Sequence, residues 1–133
     1  MSMKVLVDSS VWIDVLRNQQ SPHGDILRQL VTEGFAYTTG VIQAEILPFV
    51  RSSEAARVDA LFSNLSLLEL ESQSAFWRSV VHWRTQMVRS GLAGVGLPDV
   101  LIATTALETG VPLWSLDNHF ARIAEKLPLQ LWT

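Results

Sequence analysis

With 133 residues, 48% of them apolar and 17% charged, the chain has the size of one domain and enough apolar surface for a core, and its composition excludes intrinsic disorder. It contains no cysteine, which excludes disulfides, zinc–thiolate sites and thiol catalysis. A net charge of -3, from ten Lys+Arg against thirteen Asp+Glu, argues against holding nucleic acid by bulk electrostatics, but not against a nuclease whose bound cations offset its own carboxylates.

Taken in chain order, Lys4 to Val7 is a short apolar run that ends at Asp8 and predicts a buried strand. Ser9 or Ser10 can cap a helix to about Leu16, with Val11, Trp12, Val15 and Leu16 inward. Pro22 opens a second helix and Gly34 closes it. Phe35 to Thr38 reads as strand, and Thr39 caps a helix carrying Val41, Ile42, Glu45, Phe49 and Val50. A helix from about Ser53 to Phe62 and a strand from Ser66 to Leu70 follow. Ser72 starts a long helix with Phe76, Trp77, Val80, Trp83, Met87 and Val88 inward, ending near Gly91. Pro98 starts another, closed by Gly110. Val111 to Ser115 is strand, Asn118 to Glu125 helix, and Leu129 to Trp132 a last strand.

Strands alternating with helices predict an α/β fold, a single domain over residues 1–133 with a central parallel β-sheet flanked by helices on both faces. No apolar run approaches the length of a membrane span. Val5 to Val7 is too short for the centre of a signal peptide. A cytoplasmic location with no membrane contact is expected.

In parallel sheets the ligand site lies at the carboxyl ends of the strands, and four acids fall there. Asp8 follows the first strand, Asp117 follows the Val111 to Ser115 strand, Asp99 sits in the first turn of the helix begun by Pro98, and Glu45 lies in the helix after the second strand. Taken singly, Asp99 suits the positive end of its helix dipole and Asp117 suits a turn. Asp8, at the tip of a buried strand, needs a cation or donors. Glu45 shares a helical face with Val41, Ile42 and Phe49, which points it inward with no basic partner nearby except Arg51. Crowded carboxylates repel one another. A hard divalent cation relieves that repulsion, because Mg²⁺ and Mn²⁺ prefer oxygen ligands, and such a cation activates water for attack on a phosphodiester.

With these residues in place the chain resembles PIN-domain proteins, and more narrowly the VapC-type toxins of bacterial toxin–antitoxin pairs. The segments that carry the resemblance are Val7 to Asp14, Ala44 to Leu47, Leu97 to Ala106 and Ser115 to Phe120, with Ser115 standing where Thr is more usual. The resemblance covers essentially the whole chain. It implies an endoribonuclease that cleaves RNA with Mg²⁺ or Mn²⁺ held by Asp8, Glu45, Asp99 and Asp117. It also implies a homodimer, a cognate antitoxin as inhibitor, and Ser9 and Ser115 as hydroxyls that orient carboxylates. For those two serines a helix cap and a strand-end hydroxyl are the alternatives.

Other features carry less. Gly91, Gly94 and Gly96 follow a helix and lack the Gly-Lys-Ser/Thr of a phosphate loop, so a connector is expected. His119 has no paired orienter in sequence and stays outside the catalytic set. Trp12, Trp77 and Trp83 are assigned to the core in preference to a stacking or partner surface. A haloacid-dehalogenase-like phosphatase also begins with a strand ending in Asp. It needs an acid two residues later, where Ser10 stands, and a downstream lysine, whereas the only lysines are Lys4 and Lys126. A non-catalytic PIN-like interaction module would ordinarily have lost one of the four acids.

Overall fold

The computed structural model describes residues 3–133. Met1 and Ser2, counted in the expected domain, lie outside the described residues. Strand β1 (Val5–Val7) has all three side chains fully buried. Alternate residues of a strand face opposite ways, so both faces of the sheet are covered here, as expected of a parallel sheet between helical layers. Helices α1 (Ser9–Arg17) and α2 (Gly24–Thr32) lead to β2 (Ala36–Thr38). Helices α3 (Gly40–Ile46) and α4 (Ala55–Ser63) lead to β3 (Ser66–Leu67). After α5 (Gln73–Arg89) and α6 (Leu97–Thr109), β4 (Leu113–Trp114) returns to the sheet, and α7 (Asn118–Lys126) follows. The strand order is β3-β2-β1-β4 and every pairing is parallel.

The local signals that end the elements behave as their chemistry requires. Gly34, Gly91 and Gly110 take positive φ values of 76°, 83° and 69°, the left-handed conformation that closes a helix most cheaply with glycine. Thr39 and Ser72 accept from the backbone amides of Ile42 and Ala75 and cap α3 and α5. Arg84 on α5 donates to the carbonyls of Ala93 and Val95, which pins the glycine-containing connector and so fixes the start of α6. Ala103 and Ala106 are buried on α6, small enough for close packing of that helix.

Several expectations need correction. The cap of α1 is Asp8, whose side chain accepts from the Ser10 amide, not a serine hydroxyl. Helix α2 begins at Gly24, two residues after Pro22. Helix α3 ends at Ile46 and gives way to a 3₁₀ turn, Leu47–Phe49, because Pro48 has no amide to continue the helical ladder. Phe49, expected inward, is therefore turned out and is 78% exposed. On α5, Val80 and Met87 are buried, but Trp77 and Val88 are about half exposed. Strands β3 and β4 are shorter than expected, and the last predicted strand contributes only the bridge between Leu113 and Leu131. Trp12 is in the core, its ring 4.7 Å from that of Phe62.

Candidate active site

Order β3-β2-β1-β4 places a topological switch between β1 and β4, since successive strands run outward on one side of β1 and the last strand returns on the other. Crossovers that diverge at such a point leave a crevice at the carboxyl ends of the two strands. Val7 pairs with Trp114 across it, so the next residues on the two strands, Asp8 and Ser115, meet at its floor.

Asp8 is 3% exposed. Its Oδ2 accepts from Ser10 Oγ at 2.7 Å and from Ser115 Oγ at 2.8 Å. Each hydroxyl has one proton to give. Ser10 Oγ in turn accepts from the Leu116 amide at 3.0 Å, and Ser115 Oγ from the Asp117 amide at 3.0 Å. Two backbone donors after β4 thus act through two serines on a single carboxylate oxygen. Both protons being committed, the 3.2 Å approach of the two hydroxyls to each other is a consequence of their shared acceptor. Among the described residues no hydrogen bond reaches Asp8 Oδ1, which leaves that oxygen available to another charge.

Glu45 projects from α3, which contacts α1 and α6, and accepts from Ser9 Oγ at 3.1 Å through Oε1. Burial holds its carboxyl above the usual value, the Ser9 hydrogen bond works against this, and the charges of Asp8, Asp99 and Asp117 add to it. Asp99, in the first turn of α6, is raised in the same way. Burial comes first, the hydrogen bond from His119 opposes it, and Asp117 and Asp8 reinforce it. Asp8, Asp99 and Asp117, drawn from three other segments, are thus near enough to act on Glu45, and Asp8 and Asp117 near enough to act on Asp99.

Asp117 caps α7 by accepting from the His119 amide at 3.0 Å. The cap turns the His119 ring back over the site, where Nδ1 lies 3.1 Å from Asp99 Oδ2 and 3.3 Å from Asp117 Oδ1. One donor atom each from Asp99, Asp117 and His119 falls within 4.8 Å of the others. Asp8 and Glu45 stand beside this tighter group.

This donor set suits a hard divalent cation. It is dominated by carboxylate oxygens, two of the four acids are held above their ordinary pKa, and one buried carboxylate keeps an oxygen free of hydrogen bonds. Two participants were not placed here from sequence. The sequence marks Ser10 only as a helix cap, whereas its contacts with Ser115 and Leu116 span 105 and 106 positions. His119 has no orienter near it in sequence, and Asp99, 20 positions away, supplies one. A capping Asp two residues before a His was the local signal that could have found it.

The PIN domain family model matches residues 5–126. Among solved structures the chain is similar to VapBC2 from Rickettsia felis bound to a DNA fragment from its promoter, at 18% identity over 98% of this chain and 100% of that one, with a TM-score of 0.74. It is similar to DNA-bound VapBC from Salmonella typhimurium at 20% identity, over 98% and 97%, with a TM-score of 0.74. A toxin–antitoxin complex from Klebsiella pneumoniae shares 16% identity over 86% and 88%, with a TM-score of 0.64. At these identities the likeness is one of fold. No curated protein sequence matches the chain.

Proposed function

The chain belongs to the PIN-domain family, and on that premise we propose that it is a metal-dependent endoribonuclease, the toxin of a type II toxin–antitoxin pair. One observation carries this reading. Asp8, Glu45, Asp99 and Asp117 converge at the switch point of the sheet, where the charges of Asp8, Asp99 and Asp117 help to raise the Glu45 carboxyl and those of Asp8 and Asp117 help to raise Asp99. A structural role would not gather like charges without a counter-charge.

In this reading the four carboxylates hold Mg²⁺ or Mn²⁺. Asp8 is fixed by Ser10 and Ser115, and Glu45 by Ser9. Such an ion supplies Lewis acidity, which favours ionisation of water and offsets the charge that builds on a phosphodiester. The chain's own part is positioning. The serines fix the carboxylates' orientation, as hydrogen-bond partners of metal ligands do, and β1, β4 and α6 set the spacing. His119 meets Asp99 and Asp117 from the exposed side and yields its place to a cation.

The remaining parts of the proposal are one domain over residues 1–133, a cytoplasmic location, a homodimer and a cognate antitoxin. Among the described residues no helix is long and apolar enough to cross a membrane. The half-exposed Trp77 and Val88 on α5 supply apolar surface for a dimer contact. Likeness to a toxin–antitoxin complex supports the antitoxin. A haloacid-dehalogenase chemistry is not favoured, because Ser10 donates to Asp8 where that family requires an acid. The test is to express the chain alone and map new RNA ends across total RNA. Discrete ends with the wild type and none with Asp99→Asn support the reading, and ends that persist in Asp99→Asn refute it.

A further inference from the structure

Beside the acids lies a groove of about 690 Å³ bounded by α1, the 3₁₀ turn and α4, and Glu45 lines it as well as the acid cluster. Three arginines line it, Arg17, Arg51 and Arg57, out of ten Lys+Arg in the chain. Arg57 is paired with Glu54 at 2.7 Å. Among the described residues Arg17 and Arg51 make no ion pair, and all three are exposed. Phe49 lines the same groove and is 78% exposed, an unusual state for a large aromatic side chain. The turn made by Pro48 presents it there.

Resting on the nuclease reading, we propose that this groove is the channel for single-stranded RNA, with Phe49 as the plane on which an unpaired base stacks and Arg17, Arg51 and Arg57 as partners of the phosphates flanking the cleaved one. Charge supplies the argument. A chain of net charge -3 has no overall attraction for a polyanion, and a cation held by the four acids offsets charge only at the cleaved phosphodiester, so the flanking phosphates need cationic side chains of their own. The groove carries three arginines in its lining, and Glu45 joins that lining to the acid cluster. Proteins that bind single strands combine such a basic track with an aromatic stacking plane, and both are present. A base inside a duplex has no free face for Phe49, which makes the unpaired strand the substrate class. An apolar segment of a protein partner would use the groove's floor but would leave the arginines without partners.

The test measures binding of a fluorescein-labelled, mixed-sequence single-stranded RNA 12-mer by anisotropy, with Asp99→Asn as the background so that the probe stays intact. Phe49→Ala should weaken binding roughly tenfold, within the range that loss of one base–aromatic stack produces, and Phe49→Tyr should restore it. Arg51→Ala should weaken binding and lower the slope of log affinity against log salt by about 0.7, one phosphate's worth on a single strand. Val81→Ala, exposed on α5, should change neither. The same RNA in a duplex should bind without dependence on Phe49. Unchanged binding in Phe49→Ala and Arg51→Ala, with the same changes releasing a co-expressed protein partner, overturns the channel and leaves the nuclease reading standing. A chain that binds no RNA overturns both.

Discussion

Ser115 Oγ lies 2.8 Å from Asp8 Oδ2 although 107 positions separate the two residues. Register between β1 and β4 brings them together, and the serine's proton goes to a carboxylate that is almost wholly buried. A hydrogen bond to a buried charged group contributes about 1.5–3 kcal/mol. Ser115→Ala should therefore lower stability by about that amount in the metal-free protein and slow RNA cleavage roughly 10–100-fold, the usual cost of losing a group that orients a metal ligand. Ser115→Thr keeps the hydroxyl and should retain most of both. Chemical denaturation and single-turnover cleavage measure the two effects, and a Ser115→Ala protein with wild-type rate removes the serine from the site.

Asp99→Asn should behave in the opposite way on stability. It removes a charge that burial and the neighbouring acids disfavour, so the metal-free variant should be at least as stable as the wild type while cleavage falls about 100-fold or more, beyond the 10–100-fold that outer partners cost. Thermal melting alongside the cleavage rate separates the two. Lost activity accompanied by a lower melting temperature would mark Asp99 as a structural residue.

Metal-free protein should lose stability as pH rises above the ordinary carboxylate range. Burial, with the nearby acids, holds the Glu45 and Asp99 carboxyls above their ordinary values of 4.5 and 3.8. Between those values and the raised ones the folded chain retains protons that the unfolded chain has released, so rising pH favours unfolding across that window and these groups add no further slope above it. Melting temperatures in EDTA from about pH 4 to about pH 7, spanning ordinary carboxylate ionisation, should decline less in Glu45→Gln than in wild type, with His119 retained in both. Parallel curves would show that the Glu45 carboxyl is not raised in the folded chain.

Mg²⁺ or Mn²⁺ should raise the melting temperature by binding the folded state alone, with a gain of about 2.7 kcal/mol at a hundred times the dissociation constant. The gain should shrink in Asp8→Asn and Asp99→Asn. Equal shifts in wild type and variants would place the binding elsewhere.

Much of this architecture was legible because its signals are local. The run before Asp8, the Thr39 and Ser72 caps and the closing glycines 34, 91 and 110 each act within a few residues, and together they marked the alternation of strand and helix that implies a parallel sheet. The misreadings arose where one residue overrode a pattern or where contacts were distant. Pro48 interrupts the apolar spacing that placed Phe49 inward. Trp77 and Val88 fit an apolar stripe on α5, yet half of each faces solvent because a stripe does not reveal how much of it the domain itself covers. Asp8 and Asp117 could be placed at the sheet's edge from strand ends, and Asp99 and Glu45 from the helices that carry them, whereas Ser10 and His119 join the site through contacts with residues 20 to 106 positions away.

The most direct measurement is the cleavage rate of a single-stranded RNA by the purified chain in EDTA and in Mn²⁺, for the wild type and for Asp8→Asn. Cleavage by wild type should require Mn²⁺, and Asp8→Asn should lose about 100-fold or more of that rate under the same conditions. Cleavage that continues in EDTA, or that survives Asp8→Asn, would contradict it.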